Sequence, residues 1–307
     1  MDRLNRLTGP RALRGWAVAS LVANIVLIVT GGVVRLTDSG LGCPTWPRCT
    51  DTSLVTTAAM GIHGVIEFAN RMLFFVLGLI ALATFAVALC RRQVGHRRRD
   101  LVALTLILGL GIPFQGVIGG LTVLSKLNPY VVALHLVFSL GLVAVAVLLV
   151  HRVYDWRPRE IVGGVGRLPL VVFVLMWVTV WLGTVVTGSG PHAGDVAAPR
   201  NGLDSELVSH IHASAVYATV FLTLVTMILL RSRAALLLLV VEVLQATVGF
   251  IQYYNGLPIG VVVFHLLGAG IAIAAATHLL LAYRDVRPAD AVTDQGVGAP
   301  SDRRLDR

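Results

Sequence analysis

The chain has 307 residues, 56% hydrophobic and only 13% charged, with a mean hydropathy of +0.81. A water-soluble domain of this size needs a more polar surface, so the composition excludes one and points to a membrane protein. The net charge of +9 falls mostly in short loops, where it orients helices in a bilayer; no nucleic-acid partner is expected.

In chain order, an arginine-bearing segment at 1–15 precedes the first apolar run, 16–34. No small-residue cleavage site follows, so that run reads as a retained anchor. A polar loop at 35–60 carries Arg35 and the pair Cys43 and Cys49 around PTWPR. Further apolar runs occupy 61–90, 101–121 and 129–151. A linker at 152–167 leads to four more, at 168–187, 206–230, 234–253 and 260–283. Each is long enough to cross a bilayer as a helix. The tail at 285–307 is rich in Asp, Pro and Gly and reads as disordered. The expected fold is an all-α polytopic membrane protein. Its eight transmembrane helices form two parallel-repeated four-helix bundles, 16–151 and 168–284.

Arginines orient these spans. Arg3, Arg6, Arg11 and Arg14 precede the first. Arg91, Arg92, Arg97, Arg98 and Arg99 follow the second, and Arg152, Arg157, Arg159 and Arg167 the fourth. Arg231 and Arg233 follow the sixth, and Arg284 and Arg287 the eighth. The alternate loops hold only Arg35, Arg48, Lys126 and Arg200. By the positive-inside rule both termini are cytoplasmic. The cysteine pair then lies outside, where a disulfide is permitted. A structural staple, a redox role and a metal site all remain open for it. Cys90, near the end of the second span, reads as inert packing.

The halves repeat. FQGVIGGLTV begins at Phe114 and His135 lies 20 residues after Gln115. LQATVGFIQY begins at Leu244 and His265 lies 20 residues after Gln245. GGVVRLTDSG at Gly31 matches GTVVTGSG at Gly183, and GIHG around His63 matches HIHA around His212. Four imidazoles therefore sit near the extracytoplasmic ends of the even-numbered spans. A buried polar ring needs a partner. Pairs His63–His135 and His212–His265 suit iron ligated by one imidazole from each of two helices, as in bis-histidine haem. His192, in the GSGPHAGD loop, is a candidate propionate contact. His278 reads as a packing or rim residue, and His96 and His151 as cytoplasmic.

Glu67, Asn70 and Arg71 follow His63 on nearby faces of one helix. Aligning His63 with His212 sets them opposite Val216, Thr219 and Val220. The first pocket is then the polar one. Glu67 is its candidate proton-handling group, and an i,i+4 ion pair with Arg71 is the structural alternative.

These residues resemble haem A synthases, particularly their actinobacterial branch, over about residues 15–284. The resemblance rests on TGGVVRLTDSGLGCPTWPRC at Thr30–Cys49, IHGVIEFANR at Ile62–Arg71, QGVIGGLTV at Gln115–Val123 and VTGSGPHAGD at Val186–Asp195. It implies oxidation of the C8 methyl of haem O to the formyl of haem A, by two hydroxylations and loss of water, to supply cytochrome oxidase. It places haem O, and the haem A product, between His63 and His135, and haem b between His212 and His265. Glu67 resembles the family's catalytic glutamate, and Cys43 and Cys49 its extracytoplasmic pair. Arg35, Arg71 and Asn70 are further candidate cofactor contacts. One departure stands out: many relatives have Glu-x-x-His-Arg where this chain has Asn70 before Arg71. The implied partners are a membrane-embedded haem O synthase, an electron donor or acceptor of unspecified identity, and lipid. A cytochrome that only transfers electrons, a transporter and a structural assembly protein are the competing readings.

Overall fold

A computed structural model describes residues 9–90 and 99–286. Expectations for Arg3, Arg6, Arg91, Arg92, His96, Arg97, Arg98, Arg287 and the remaining tail fall outside the described residues. Eight long helices dominate: α1 (Pro10–Leu36), α2 (Gly61–Cys90), α3 (Arg99–Leu124), α4 (Pro129–Val153), α5 (Leu168–Ser189), α6 (Ser205–Leu230), α7 (Arg233–Tyr254) and α8 (Ile259–Leu281). All eight are long and apolar enough to cross a membrane. Their large exposed side chains, such as Phe75, Leu79, Phe221 and Phe264, suit contact with lipid rather than water.

Local chemistry sets the helix ends. Asp204 caps α6 by accepting the Glu206 and Leu207 N–H groups at 2.8 and 2.9 Å. Ser232 caps α7 through the Ala235 N–H at 3.0 Å, and Asn128 caps α4 ahead of Pro129. Such side-chain oxygens satisfy donors that the first helical turn leaves unpaired.

Each helix of α1–α4 packs on the next, and α1 closes the ring on α4; α5–α8 make the same ring. Neighbours in sequence are thus neighbours in space, while α2 and α4, like α6 and α8, stand diagonally opposed. The rings meet where α8 packs on α1 and α4, and α4 on α5. Small side chains on α8, Ala272, Ala275 and Ala276, are buried in that seam with Ile28, Leu140 and Val143. Small residues let membrane helices approach closely and gain dispersion contacts.

Sequence reading missed a two-stranded parallel sheet. β1 (Arg159–Val162) pairs with β2 (Tyr283–Val286) at the end of the molecule where α1 begins. The linker and the first residues after α8 are therefore joined. Nearby, His151 of α4 and His278 of α8 share a hydrogen bond of 2.8 Å. Cys90 is exposed at the end of α2, so the packing role expected for it is not what the structure shows.

Candidate functional site

The second bundle has the simpler site. His212 on α6 and His265 on α8 stand on diagonally opposed helices of the ring. Each ring lies against a glycine of the preceding helix. A Cβ added at Gly183 would stand 3.2 Å from His212 Cε1, and one at Gly249 would stand 3.6 Å from His265 Cε1. His212 Nδ1 is 3.0 Å from the Thr179 carbonyl. A carbonyl only accepts, so Nδ1 carries the proton and Nε2 keeps its lone pair. His265 Nδ1 is buried with no hydrogen-bond partner. Gln245 Nε2 donates to the His265 carbonyl at 2.9 Å.

The first bundle repeats half of this. His135 on α4 lies against Gly119, 3.4 Å from an added Cβ. Its Nδ1 is buried and unpartnered, and Gln115 Nε2 lies 3.5 Å from its carbonyl. The two Gln–His pairs identified in sequence thus make matching contacts.

The opposite ligand position differs from the sequence alignment. His63 is exposed in the first turn of α2, with Nδ1 3.0 Å from Ser39 Oγ. It borders a mouth of about 410 Å³ that also involves Asp38, Met60 and Asp195. Packing offers a second alignment of α2 with α6. Leu77, Ala81 and Ile112 form one buried cluster in the first bundle, and Thr223 bonds Glu242 in the second. Ile112 and Glu242 each lie three residues before the matched glutamines, so Ala81 corresponds to Thr223. His212 lies eleven residues before Thr223, and Asn70 eleven before Ala81. On that alignment Asn70, in place of His63, matches His212 in the repeat. The Asn70 Oδ1 is buried and unpartnered.

Glu67 is buried but not free. Its Oε2 accepts the Cys43 N–H at 2.5 Å, and its Oε1 accepts from Arg71 Nη2 at 2.5 Å and Nε at 3.2 Å. Arg71 also donates to the carbonyls of Cys43, Thr45 and Arg48. The expected i,i+4 pair thus exists, and it clamps the cysteine loop rather than a second helix. A disulfide joins Cys43 and Cys49. Within that loop Trp46 lies on Gly120 of α3, and Gly42 rests on the backbone of His63 where no side chain fits. The loop is in this way seated over the first bundle.

Two other predicted contacts are used structurally. Arg35 donates from Nε to the His192 carbonyl at 2.7 Å and from Nη2 to the Thr187 carbonyl at 2.8 Å. The His192 ring lies 3.0 Å from the Leu257 carbonyl through Nε2. Arg35 thus ties the two bundles together across the seam, and His192 ties two loops within the second bundle.

Buried imidazoles with an unpartnered nitrogen or a free Nε2, approaching across the diagonal of an apolar ring, fit an axially ligated planar macrocycle. Among the described residues, no three His, Cys, Asp or Glu side chains gather as a bare metal ion would require. Sequence reading passed over Glu242, whose one signal was a lone carboxyl in the apolar run of α7.

Two membrane-crossing rings with intramembrane imidazoles and a disulfide-closed loop define a polytopic membrane protein with paired internal sites. Residues 14–277 match the COX15-CtaA model, described as cytochrome oxidase assembly protein, and the chain belongs to that family. A heme A synthase of Listeria monocytogenes serotype 4a is 26% identical over 88% of this chain and 94% of its own length. Heme A synthases of Shewanella oneidensis (31% identical, 55% of this chain and 53% of the relative) and Halalkalibacterium halodurans (28%, 57% and 59%) match shorter stretches.

Proposed function

We propose that this protein is a haem A synthase, which oxidises the C8 methyl of haem O to a formyl group by two hydroxylations and loss of water. The observation that carries this reading is the asymmetry of two otherwise matching bundles. The second offers two facing imidazoles in an apolar ring, as a resident haem b requires. The first offers one imidazole, His135, with Asn70 opposite and the Glu67–Arg71–cysteine loop assembly above. A ring with one strong ligand suits a macrocycle that arrives as substrate and leaves as product.

Haem b, when bound, supplies one-electron redox chemistry. His212 and His265 hold it, with the Thr179 carbonyl fixing the His212 tautomer. In the first bundle His135 binds and orients haem O. Asn70 turns an amide toward it in place of a second imidazole. Glu67 holds or moves a proton near the reacting methyl, and the Cys43 N–H and Arg71 fix where its oxygens lie. Arg71 adds positive charge at the same end, and Trp46 helps the loop exclude water. The arginine-rich ends support a reading with both termini in the cytoplasm and the sites toward the extracytoplasmic side of a bacterial cell membrane. Haem O then arrives from a membrane-embedded haem O synthase.

The test is haem extraction with mass analysis and a pyridine haemochrome spectrum, on protein purified from cells that make haem O. Haem b together with haem O or haem A is the expected result. Two equivalents of haem b alone would replace this reading with an electron-transfer cytochrome, and no haem would sink both. His212→Ala and His265→Ala should each lose the b-type spectrum; an unchanged low-spin spectrum in both removes them as ligands.

A further inference from the structure

Glu242 lies on the inner face of α7. Leu238, Glu242, Gln245 and Gly249 follow one another at helical spacing. Leu238 is in the core, Gln245 bonds the His265 carbonyl and Gly249 backs the His265 ring. The carboxyl is 5% exposed. Its Oε1 accepts from Thr223 Oγ1 at 2.9 Å, while Oε2 is buried with no hydrogen-bond partner. It sits two turns, about 10 Å along the helix, from Gly249 toward the arginine-rich end.

Buried hydroxyls line α6 between this carboxyl and the level of His212. Thr219 and Thr223 are one turn apart on α6 and fully buried. Thr219 Oγ1 is 2.9 Å from Thr179 Oγ1, and the Thr179 carbonyl holds His212. Thr219 and Thr226 return their hydroxyls to the carbonyl four residues back, whereas Thr223 gives its hydroxyl to Glu242.

Folding does not require this polarity. The matching positions in the first bundle are Leu77, Ala81 and Ile112, an apolar cluster. A buried carboxyl inside a membrane is costly and marks function by default. The second bundle is also the one with facing imidazoles, where an added electron in an apolar ring needs a compensating charge.

Resting on the reading of His212 and His265 as ligands of a resident haem b, we propose that Glu242 is a proton-binding site coupled to that centre. When the centre gains one electron from a one-electron donor, the Glu242 carboxylate gains one proton. When the electron leaves, the carboxylic acid releases it. Net charge in the bundle is thereby kept constant. The groups that could share this duty are few. On the elements packed against α7, Glu206, His210 and Tyr217 of α6 and Arg231 just beyond it are exposed, as are Arg233, Tyr253 and Tyr254 of α7 itself. α5 carries no ionisable side chain. On α8, His265 is the ligand and His278 is paired with His151.

The test is spectroscopic redox titration of the purified full-length protein with mediators, from pH 5.5 to 8.5. In the wild type the midpoint potential of the b-type spectrum should fall with pH, approaching ~59 mV per unit, the one-electron equivalent of tenfold. Glu242→Gln should flatten that slope and leave the spectrum unchanged. Thr223→Val keeps the carboxyl and should keep the slope with its pH window displaced. If Glu242→Gln does not fold, Glu242→Ile copies the first bundle and takes its place. A pH-independent wild-type potential, or an unaltered slope in the variant, overturns the proposal while the haem reading stands. Absence of any b-type spectrum in the wild type overturns both.

Discussion

Removing Glu67 separates a clamp from a chemical group. Its carboxylate accepts the Cys43 N–H and pairs with Arg71, whose side chain is 20% exposed. Glu67→Ala leaves a buried peptide donor without a partner, at about 1–3 kcal/mol. Breaking a buried ion pair by removing one member costs about 3–5 kcal/mol. Arg71 keeps three carbonyl acceptors, so the lower part of that range applies. The loop over the first bundle should then open more easily by roughly 3 kcal/mol, about a hundredfold in its opening equilibrium. Glu67→Gln retains an acceptor for the peptide and should lose about tenfold. Hydrogen exchange of residues 39–50 reads this directly, because local opening sets the exchange rate of such a segment. Haem A formation measured on the same samples shows whether activity follows loop opening. Unchanged exchange in Glu67→Ala would refute the clamp and leave proton handling as the whole of its role. Normal turnover in that variant would remove Glu67 from the mechanism.

Other outcomes follow from the same geometry. Gly183→Ala pushes a methyl to 3.2 Å from the His212 ring; overpacking of about 1–3 kcal/mol should weaken haem retention five- to about a hundredfold. Gly31→Ala, where nothing lies within 4 Å, is the control, and equal haem content in the two variants would refute the ring-on-glycine contact. Asn70→His should add a second bis-histidine low-spin signature with His135 and slow product release. An unaltered spectrum from haem-loaded protein would mean that position 70 does not face the macrocycle. His63→Ala should leave both haem spectra intact, and loss of either would return His63 to the ligand set.

The spans were legible because length and hydropathy decide them, and the Gln–His pairs because polar residues are conspicuous in apolar runs. The ligand register in α2 was not. Residues 63 and 70 are seven apart, nearly two whole turns, so a slip between them preserves the helix face. The short match of GIHG to HIHA then outweighed the deeper packing of Ala81 on Ile112. Arg35 and His192 read as cofactor contacts because charge near a haem suggests propionates. In the structure both meet backbone carbonyls on a loop more than 60 residues away in each case, and sequence does not display those. Strands β1 and β2 are four residues each and pair across the whole second bundle, so neither carries a pattern of its own. Glu242 was visible, but it gains meaning only once Thr223 is seen beside it.

The two halves are laced at both faces of the membrane. Arg35 reaches from α1 to the α5–α6 loop at one face. At the other, β1 joins β2 and His151 meets His278. Carriers that rock one repeat against the other need a seam that parts at alternate ends. Here parting at the first face would strand Arg35, and parting at the second would break the His151–His278 bond, so the seam acts as a weld rather than a hinge. The spacing between the imidazoles of the two bundles is therefore set by the packed seam rather than by a loop.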